Sequence, residues 1–412
     1  MRWAKISEYL ILVLISSLAF YNINVYDHFY FPEIISLFIL PILFLLSWKN
    51  IFSDFQFLET AILIYFFIEI IRNLNTPCGA AMHEVFIQLY LLIFYFTIRA
   101  SSISYKLDFL KIFSKSLVII LLISVPLAVI GFIHASISSQ TNALAWFYPG
   151  FPILGDIARG RAFLGTPEML AYFLITSYFI LLINKDNQIL GINKSLYFFL
   201  CLIGLVCSAS KSFLVFLALL LIYYYPKKRV LKNIYLFSIC LLLFLYFFGT
   251  HFLVGDKNSI LNSDISGETI AQINQYSISK SSYTELKEIA IQCGLKNPII
   301  GVGSSCFGEY YSSHRSELNI RNSLPIYDPH STWFGQFAEN GIIGCLCLLL
   351  LCFAIYFQMK NRWDSITLLI LFYLLISMNT DILNFRQFWL ILLLISLTKF
   401  KQSDNNPFEK TM

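Results

Sequence analysis

An all-α polytopic membrane protein is the fold class this sequence predicts, and three observations predict it. Of its 412 residues, 58% are hydrophobic and 17% aromatic, while only 13% are charged, a balance that belongs to membrane chains rather than soluble ones. The apolar residues come in runs of roughly 15 to 22, the length a helix needs to cross about 30 Å of hydrocarbon. Those runs, such as LVIILLISVPLAVIGF at 117–132, do not alternate with period two as the strands of a membrane barrel would. A helix satisfies its own backbone hydrogen bonds, which makes it the default spanning form in lipid.

About twelve spans follow, centred roughly on residues 15, 40, 64, 91, 123, 176, 201, 218, 241, 349, 371 and 392. The first has only Arg2 and Lys5 before it and no small-x-small cleavage site after it, so it reads as a retained span. With the N-terminus in the cytoplasm, most of the 29 basic residues fall on that side, including Lys49, Arg99, Lys106, Lys111, Lys115, Lys227, Lys228, Arg229, Lys360, Arg362 and Lys399. The short loops opposite hold Arg72, Arg159, Arg161, Lys211 and Arg386. Orientation follows the Lys/Arg bias of short loops, so both termini are expected in the cytoplasm. The chain then divides into a bundle of about nine spans over 1–250, one large outward loop over 251–333, the last spans over 334–400, and a cytoplasmic tail over 401–412. All six histidines, His28, His83, His134, His251, His314 and His330, face outward in this arrangement.

Outward basic residues are informative because the orientation bias works against them. Lys211 lies in a short break, Ser208-Ala209-Ser210-Lys211-Ser212, between two apolar runs. A lysine there either snorkels to the interface or meets an anion or a water-filled cavity. The same choice applies to Arg159, Arg161 and Arg386, with Asp381 a candidate partner for the last. Glu69 and Arg72, three apart on one helix face, read as an ion pair at the end of the third span. Upstream of Pro167, which suits the first turn of the sixth span, the aromatics Trp146, Phe147 and Tyr148 suit a layer at the membrane interface.

In the large loop, Tyr283 to Gly294 reads as an amphipathic helix stopped by the glycine. Gly301 and Gly303 follow in a tight turn, either a plain turn or one whose amides approach an anion; no strand–helix unit surrounds them to make a dinucleotide fingerprint. His330 precedes a helix expected from about Thr332, where an imidazole can take a proton near neutral pH or bind phosphate when charged. Cys293 and Cys306 can pair if the loop faces an oxidising compartment. Cys201, Cys207, Cys240, Cys345, Cys347 and Cys352 read as small buried hydrophobes. No cysteine has metal-ligand spacing, and neither a metal nor a cofactor is expected.

From His330 the chain runs His-Ser-Thr-Trp-Phe-Gly-Gln-Phe-Ala-Glu-Asn-Gly-Ile-Ile-Gly, placing Glu339, Gly341 and Gly344 after the histidine. This resembles the signature of the O-antigen ligase and polymerase superfamily, a histidine leading to Glu-x-Gly-x-x-Gly at the start of a span. Asn297 to Gly303 is similar to that family's Pro-x-x-Gly-x-Gly, Gly160 to Ala171 to its Arg-x-x-Gly-x-x-x-Pro-Asn segment, and Ser208 to Ser212 to its Ser-x-Ser-Arg break. Three departures stand out: Ser331 and Glu168 replace asparagines, and Lys211 replaces an arginine, keeping the charge but losing bidentate phosphate recognition.

The resemblance implies a GT-C-like membrane glycosyltransferase of the bacterial inner membrane with a periplasmic active site. Its donor would be an oligosaccharide on undecaprenyl diphosphate and its acceptor a sugar hydroxyl. A flippase and a chain-length regulator would be partners alongside membrane lipids, with no nucleic acid. His330 would be catalytic. Arg161, Lys211, Arg159, Arg386, Lys287 and Arg321 would bind diphosphate or substrate, and Gly301, Gly303, Glu339, Gly341 and Gly344 would form the structural motif. Tyr283 to Gly294 lacks the arginine that ligases tend to carry there, Lys280 and Lys287 being the nearest substitutes. The favoured expectation is therefore an O-antigen polymerase, with an O-antigen ligase as the alternative. A lipid-linked-oligosaccharide flippase is the third candidate, disfavoured because its charges would lie within the spans and it would lack a large outer loop.

Overall fold

A computed structural model describes residues 2–26, 29–76, 78–151, 155–225, 229–256, 266–274, 276–318, 328–359 and 365–403. Arg321, His28, Lys227, Lys228, Lys360, Arg362 and the tail from Asp404 lie outside the described residues. In chain order the elements are α1 (Arg2–Ser16), β1 (Asn24–Tyr26), β2 (Phe29–Tyr30), α2 (Phe31–Ser47), α3 (Phe57–Leu74), α4 (Gly79–Ser104), α5 (Phe109–Ser138), β3 (Ala145–Phe151), β4 (Gly155–Gly160), α6 (Pro167–Ile183), β5 (Gln188–Ile189), β6 (Ile192–Asn193), α7 (Lys194–Ser208), α8 (Ser212–Tyr223) and α9 (Arg229–His251). There follow β7 (Phe252–Asp256), β8 (Ser266–Ile273), β9 (Tyr276–Ser281), α10 (Ser282–Lys296), α11 (Phe307–Ser313), α12 (Thr332–Met359), α13 (Ser365–Ile376) and α14 (Arg386–Ser403).

The chain is mostly helical, and a helix covers each of the twelve expected centres. Six helical stretches among the described residues are long and apolar enough to cross a membrane: Arg2–Phe20, Phe31–Asn50, Gly79–Ser104, Phe109–Ser138, Lys232–His251 and Thr332–Met359. Pro167–Ile183, Lys194–Ser208, Ser212–Tyr223, Ser365–Ile376 and Arg386–Thr398 are apolar but shorter. Local chemistry sets the ends. Thr166 caps α6 by accepting from the Met169 amide at 3.1 Å, with Pro167 in the first turn as expected. Gln56 and Glu59 form a reciprocal capping box on α3, satisfying two otherwise orphaned amides.

The described residues sort into two units. The first comprises 1–48, 101–249 and 363–372; in it α5 packs on α1, α6 and α7, and the antiparallel β3–β4 hairpin lies against α5. The aromatic segment expected as an interfacial layer is thus strand β3 of that hairpin. The second unit comprises 49–100, 250–362 and 373–412; in it α3 and α10 both pack on α12, and β9 is the centre of a three-stranded antiparallel sheet between β7 and β8.

Three local expectations are corrected. Arg99, assigned to a cytoplasmic loop, lies inside α4 and is fully buried against Glu59. Gly294 does not stop α10, which continues to Lys296 before Asn297-Pro298; its missing side chain makes room for the Phe337 ring, which a Cβ would meet at 2.4 Å. Cys306 bonds Cys78, with Cα atoms 6.0 Å apart, while Cys293 is free and buried.

Candidate active site

In the first unit, the cluster is built on β3–β4. Trp146 lies opposite Arg159 and Tyr148 opposite Ile157, so the two rings share one face of the hairpin. Arg159 sits over Tyr148 at 5.6 Å, and Arg161, just past the strand, over Trp146 at 5.3 Å, both within cation–π range. Their polar partners differ. Arg159 donates to the Glu168 carboxylate at 2.5 Å and to the Ser208 carbonyl at 3.2 Å. Glu168, standing where the family pattern has asparagine, therefore neutralises it. Arg161 donates only to the carbonyls of Gly165 at 3.0 Å and Asn142 at 3.1 Å, and its buried Nε has no acceptor among the described residues. Burial pushes the Arg161 guanidinium below its ordinary pKa.

Lys211 ends the link Ala209–Lys211 between α7 and α8, with Ala209 in the left-handed region at φ 44°. Its ammonium donates to the Gly249 carbonyl in α9. No carboxylate pairs with it among the described residues. Burial, and repulsion from Arg159, lower its pKa to about 8 against the opposing pull of Glu168.

In the second unit, α10 organises the site. Tyr283 and Lys287 are four apart and so share a helix face. The Tyr283 ring meets the His330 imidazole edge-on at 4.5 Å. His330 has φ 46°, its amide donates to Asp328 Oδ1 at 2.8 Å, and its Nδ1 lies 3.2 Å from the same oxygen. One turn along α10, Lys287 is 4% exposed; it donates to Asn379 Oδ1 at 2.5 Å and contacts His251 Nε2 at 3.2 Å. Both partners are neutral acceptors, and burial draws its pKa down to about 8. An ammonium carries three N–H donors, so one N–H of Lys287 remains. Asn379 Nδ2 is likewise buried without an acceptor.

The links that carry these groups are tied together. The Thr332 amide donates to the carbonyls of Ser377 and Thr380 at 2.9 and 3.2 Å, fixing the start of α12 to the segment that holds Asn379. Asp381, in the same segment, accepts from the Leu383 amide at 3.1 Å and Asn384 Nδ2 at 2.9 Å, and burial pushes its carboxyl up to about 7. Arg386 sits over the Tyr90 ring at 5.0 Å and donates to its hydroxyl at 3.2 Å.

The glycine motifs serve as backbone packing. Gly301 and Gly341 both have φ 62°, and a Cβ on Gly301 would meet the Glu339 carbonyl carbon at 2.3 Å, one on Gly341 the Ile299 carbonyl carbon at 2.5 Å. Across this contact the amides of Val302 and Gly303 donate to the Ala338 and Glu339 carbonyls at 2.9 and 2.7 Å, and that of Ile342 to Pro298 at 2.8 Å. α12 breaks at Gly341, and the turn 298–303 supplies the missing backbone partners. The Gly301 amide goes to Asn297 at 2.9 Å, so neither Gly301 nor Gly303 offers its amide to an anion. Gly344 lies against the Asn340 and Gln336 side chains, 2.4 and 2.9 Å from where its Cβ would be.

The expected Glu69–Arg72 pair is also replaced. Glu69 accepts from Asn340 Nδ2 at 2.9 and 3.0 Å and from Ser304 Oγ at 2.7 Å, while Arg72 donates to the carbonyls of Ile300 at 2.8 Å and Gly301 at 3.0 Å. Sequence reasoning missed Asn379, a lone amide between two spans that carries no signal. It counted His251 only as one outward histidine, although its place at the end of an apolar run marked it.

In a largely helical chain with membrane-length apolar segments, cations held by neutral acceptors, one of them beside an imidazole, are candidate places for an anion. Residues 196–349 match the family model described as O-antigen ligase. Over that stretch, which runs from α7 into α12 and includes Lys211, Lys287, Gly301 and His330, the chain is similar to the O-antigen ligase family. No curated protein matches the chain.

Proposed function

We propose that the protein is an O-antigen polymerase of the bacterial inner membrane, moving an oligosaccharide from undecaprenyl diphosphate to a sugar hydroxyl of another lipid-linked repeat unit. The observation that carries this reading is that each unit holds a half-buried or buried cation facing only neutral acceptors, Arg161 and Lys211 in one and Lys287 in the other. A buried charge without a counter-ion is costly, so such a residue marks a place for an anion. Tyr283 to Gly294 carries no arginine where ligases of the resembled family tend to have one, which favours the polymerase over the ligase. The Cys78–Cys306 disulfide supports a periplasmic position for the loop between α10 and α11, since such bonds persist in oxidising compartments.

In this reaction the acceptor hydroxyl oxygen forms the new bond to the donor's anomeric carbon, whose bond to the diphosphate oxygen breaks. With Nδ1–H donating to Asp328, the basic lone pair of His330 lies on Nε2, which takes the hydroxyl proton. The electron pair leaves with the diphosphate, and the remaining donors of Lys287 and Asn379 stabilise it, a role for preorganised electrostatics. In the first unit Arg161 and Lys211 offer a separate place for an anion, and Arg159 steadies the hairpin through Glu168.

The test is a lipopolysaccharide gel from a strain deleted for the gene, run beside its undecaprenyl-linked glycans. Core bearing a single repeat unit is expected; bare core with long polymer accumulating on the carrier would make the protein a ligase. Complementation with His330→Ala at equal expression is expected to leave the ladder absent, and a normal ladder would remove His330 from the chemistry.

A further inference from the structure

Beside Arg72, at the C-terminal end of α3, lies an open pocket of about 430 Å³ lined by Phe67, Ile68, Ile71, Asn75, Ile300 and Ile343, with Asn340 at its edge. Apart from the two amides, the only polar group there is the Arg72 guanidinium. It spends Nε and one Nη2 donor on the carbonyls of Ile300 and Gly301. Five N–H donors are available to an arginine, and the others have no partner among the described residues. Glu69, one turn earlier, acts on Arg72 only through space, its carboxylate being held by Asn340 and Ser304. The cavity therefore has a cationic rim with open donors and an apolar floor.

We propose that this pocket is a binding site for an anionic phospholipid, its phosphate on the open edge of Arg72 and one acyl chain along Phe67, Ile71, Ile300 and Ile343. The apolar floor offers a free phosphate no second cation and would leave a peptide backbone's polar groups unpaired. Among the described residues nothing anionic lines the pocket to receive the ammonium of a zwitterionic headgroup. Charge-assisted bonds from a guanidinium to a phosphate are strong and directional, and basic residues at a membrane surface select anionic lipids. The same guanidinium holds the turn at Ile300–Gly301, so a bound lipid braces the segment whose backbone completes α12. The proposal rests on the chain spanning a membrane and is independent of whether it polymerises or ligates glycan.

The experiment is native mass spectrometry of the full-length protein in neutral detergent, titrated separately with phosphatidylglycerol, phosphatidylcholine, inorganic phosphate and undecaprenyl phosphate. No glycan is involved, so failure here leaves the proposed activity standing. Wild type is expected to retain phosphatidylglycerol at roughly tenfold lower concentration than phosphatidylcholine, the factor that one good charge-assisted contact confers. Arg72→Gln is expected to abolish that preference. Ile343→Trp, which fills the floor and leaves Arg72 in place, is expected to weaken both lipids, and it carries the test if Arg72→Gln does not fold. Equal retention of the two phospholipids by wild type, an undiminished preference in Arg72→Gln, or undiminished retention of both lipids by Ile343→Trp overturns the proposal. So does displacement of phosphatidylglycerol by equimolar inorganic phosphate or by undecaprenyl phosphate.

Discussion

Two buried cations in the second unit have opposite surroundings. Arg99, 1% exposed, donates to Glu59 Oε1 at 3.0 Å and to the carbonyls of Ser53 and Asp54 at 2.9 and 2.6 Å; Glu59 in turn accepts from the Ser396 hydroxyl. Its charge is cancelled within the fold. Lys287 is nearly as buried, yet its partners are an amide oxygen and an imidazole nitrogen. The first arrangement is complete without a ligand, whereas the second leaves a net positive charge that an anion would neutralise. Burial alone does not distinguish these two cations; the charge of their acceptors does.

The comparison breaks most visibly at the neutral pair. Arg99→Ala leaves the Glu59 carboxylate buried and unpaired, expected to cost about 3–5 kcal/mol; a thermal melt of the detergent-solubilised variant measures it, and a stability like that of wild type would show that the pair does not hold this end of the unit. At the other cation the expected outcome is reversed. Lys287→Met removes a charge with no counter-ion, so stability should be unchanged or higher, while polymer formation by purified protein falls ~10²–10³-fold, the loss typical of one preorganised donor. Equal losses of stability and activity would make Lys287 a structural residue like Arg99.

The smallest effect sharpens the contrast through pH. Burial lowers Lys287 to about 8 from the ordinary lysine value. The charged form that holds an anion is lost as pH rises through about 8, and activity should fall above that point by up to about tenfold per pH unit. Stability moves the other way. Between the folded pKa and the higher unfolded one, the unfolded chain binds more protons, so the fold gains stability as pH rises through that window. Lys287→Arg, which stays charged, should lose the alkaline fall in activity; a fall that persists in that variant assigns it to another group, such as Lys211.

Length and polarity of the apolar runs determined the helical membrane class, because burying backbone in lipid leaves few alternatives to a helix. They also placed a helix at each of the twelve centres and Pro167 in the first turn of α6. The sequence also named His330, Lys211 and Gly301 as candidates, and the family resemblance added Lys287 and Gly341. Partner choice, however, came only from tertiary structure. Glu69 and Arg72 are adjacent on a helix face, yet Asn340 and the Ile300 carbonyl, more than two hundred residues away in sequence, take them instead. The Cys78–Cys306 bond and Lys287 with Asn379 follow the same rule. A side chain's neighbours along one element are fixed by its periodicity, but which acceptor meets a buried donor depends on how elements distant in sequence pack, and no local pattern encodes that.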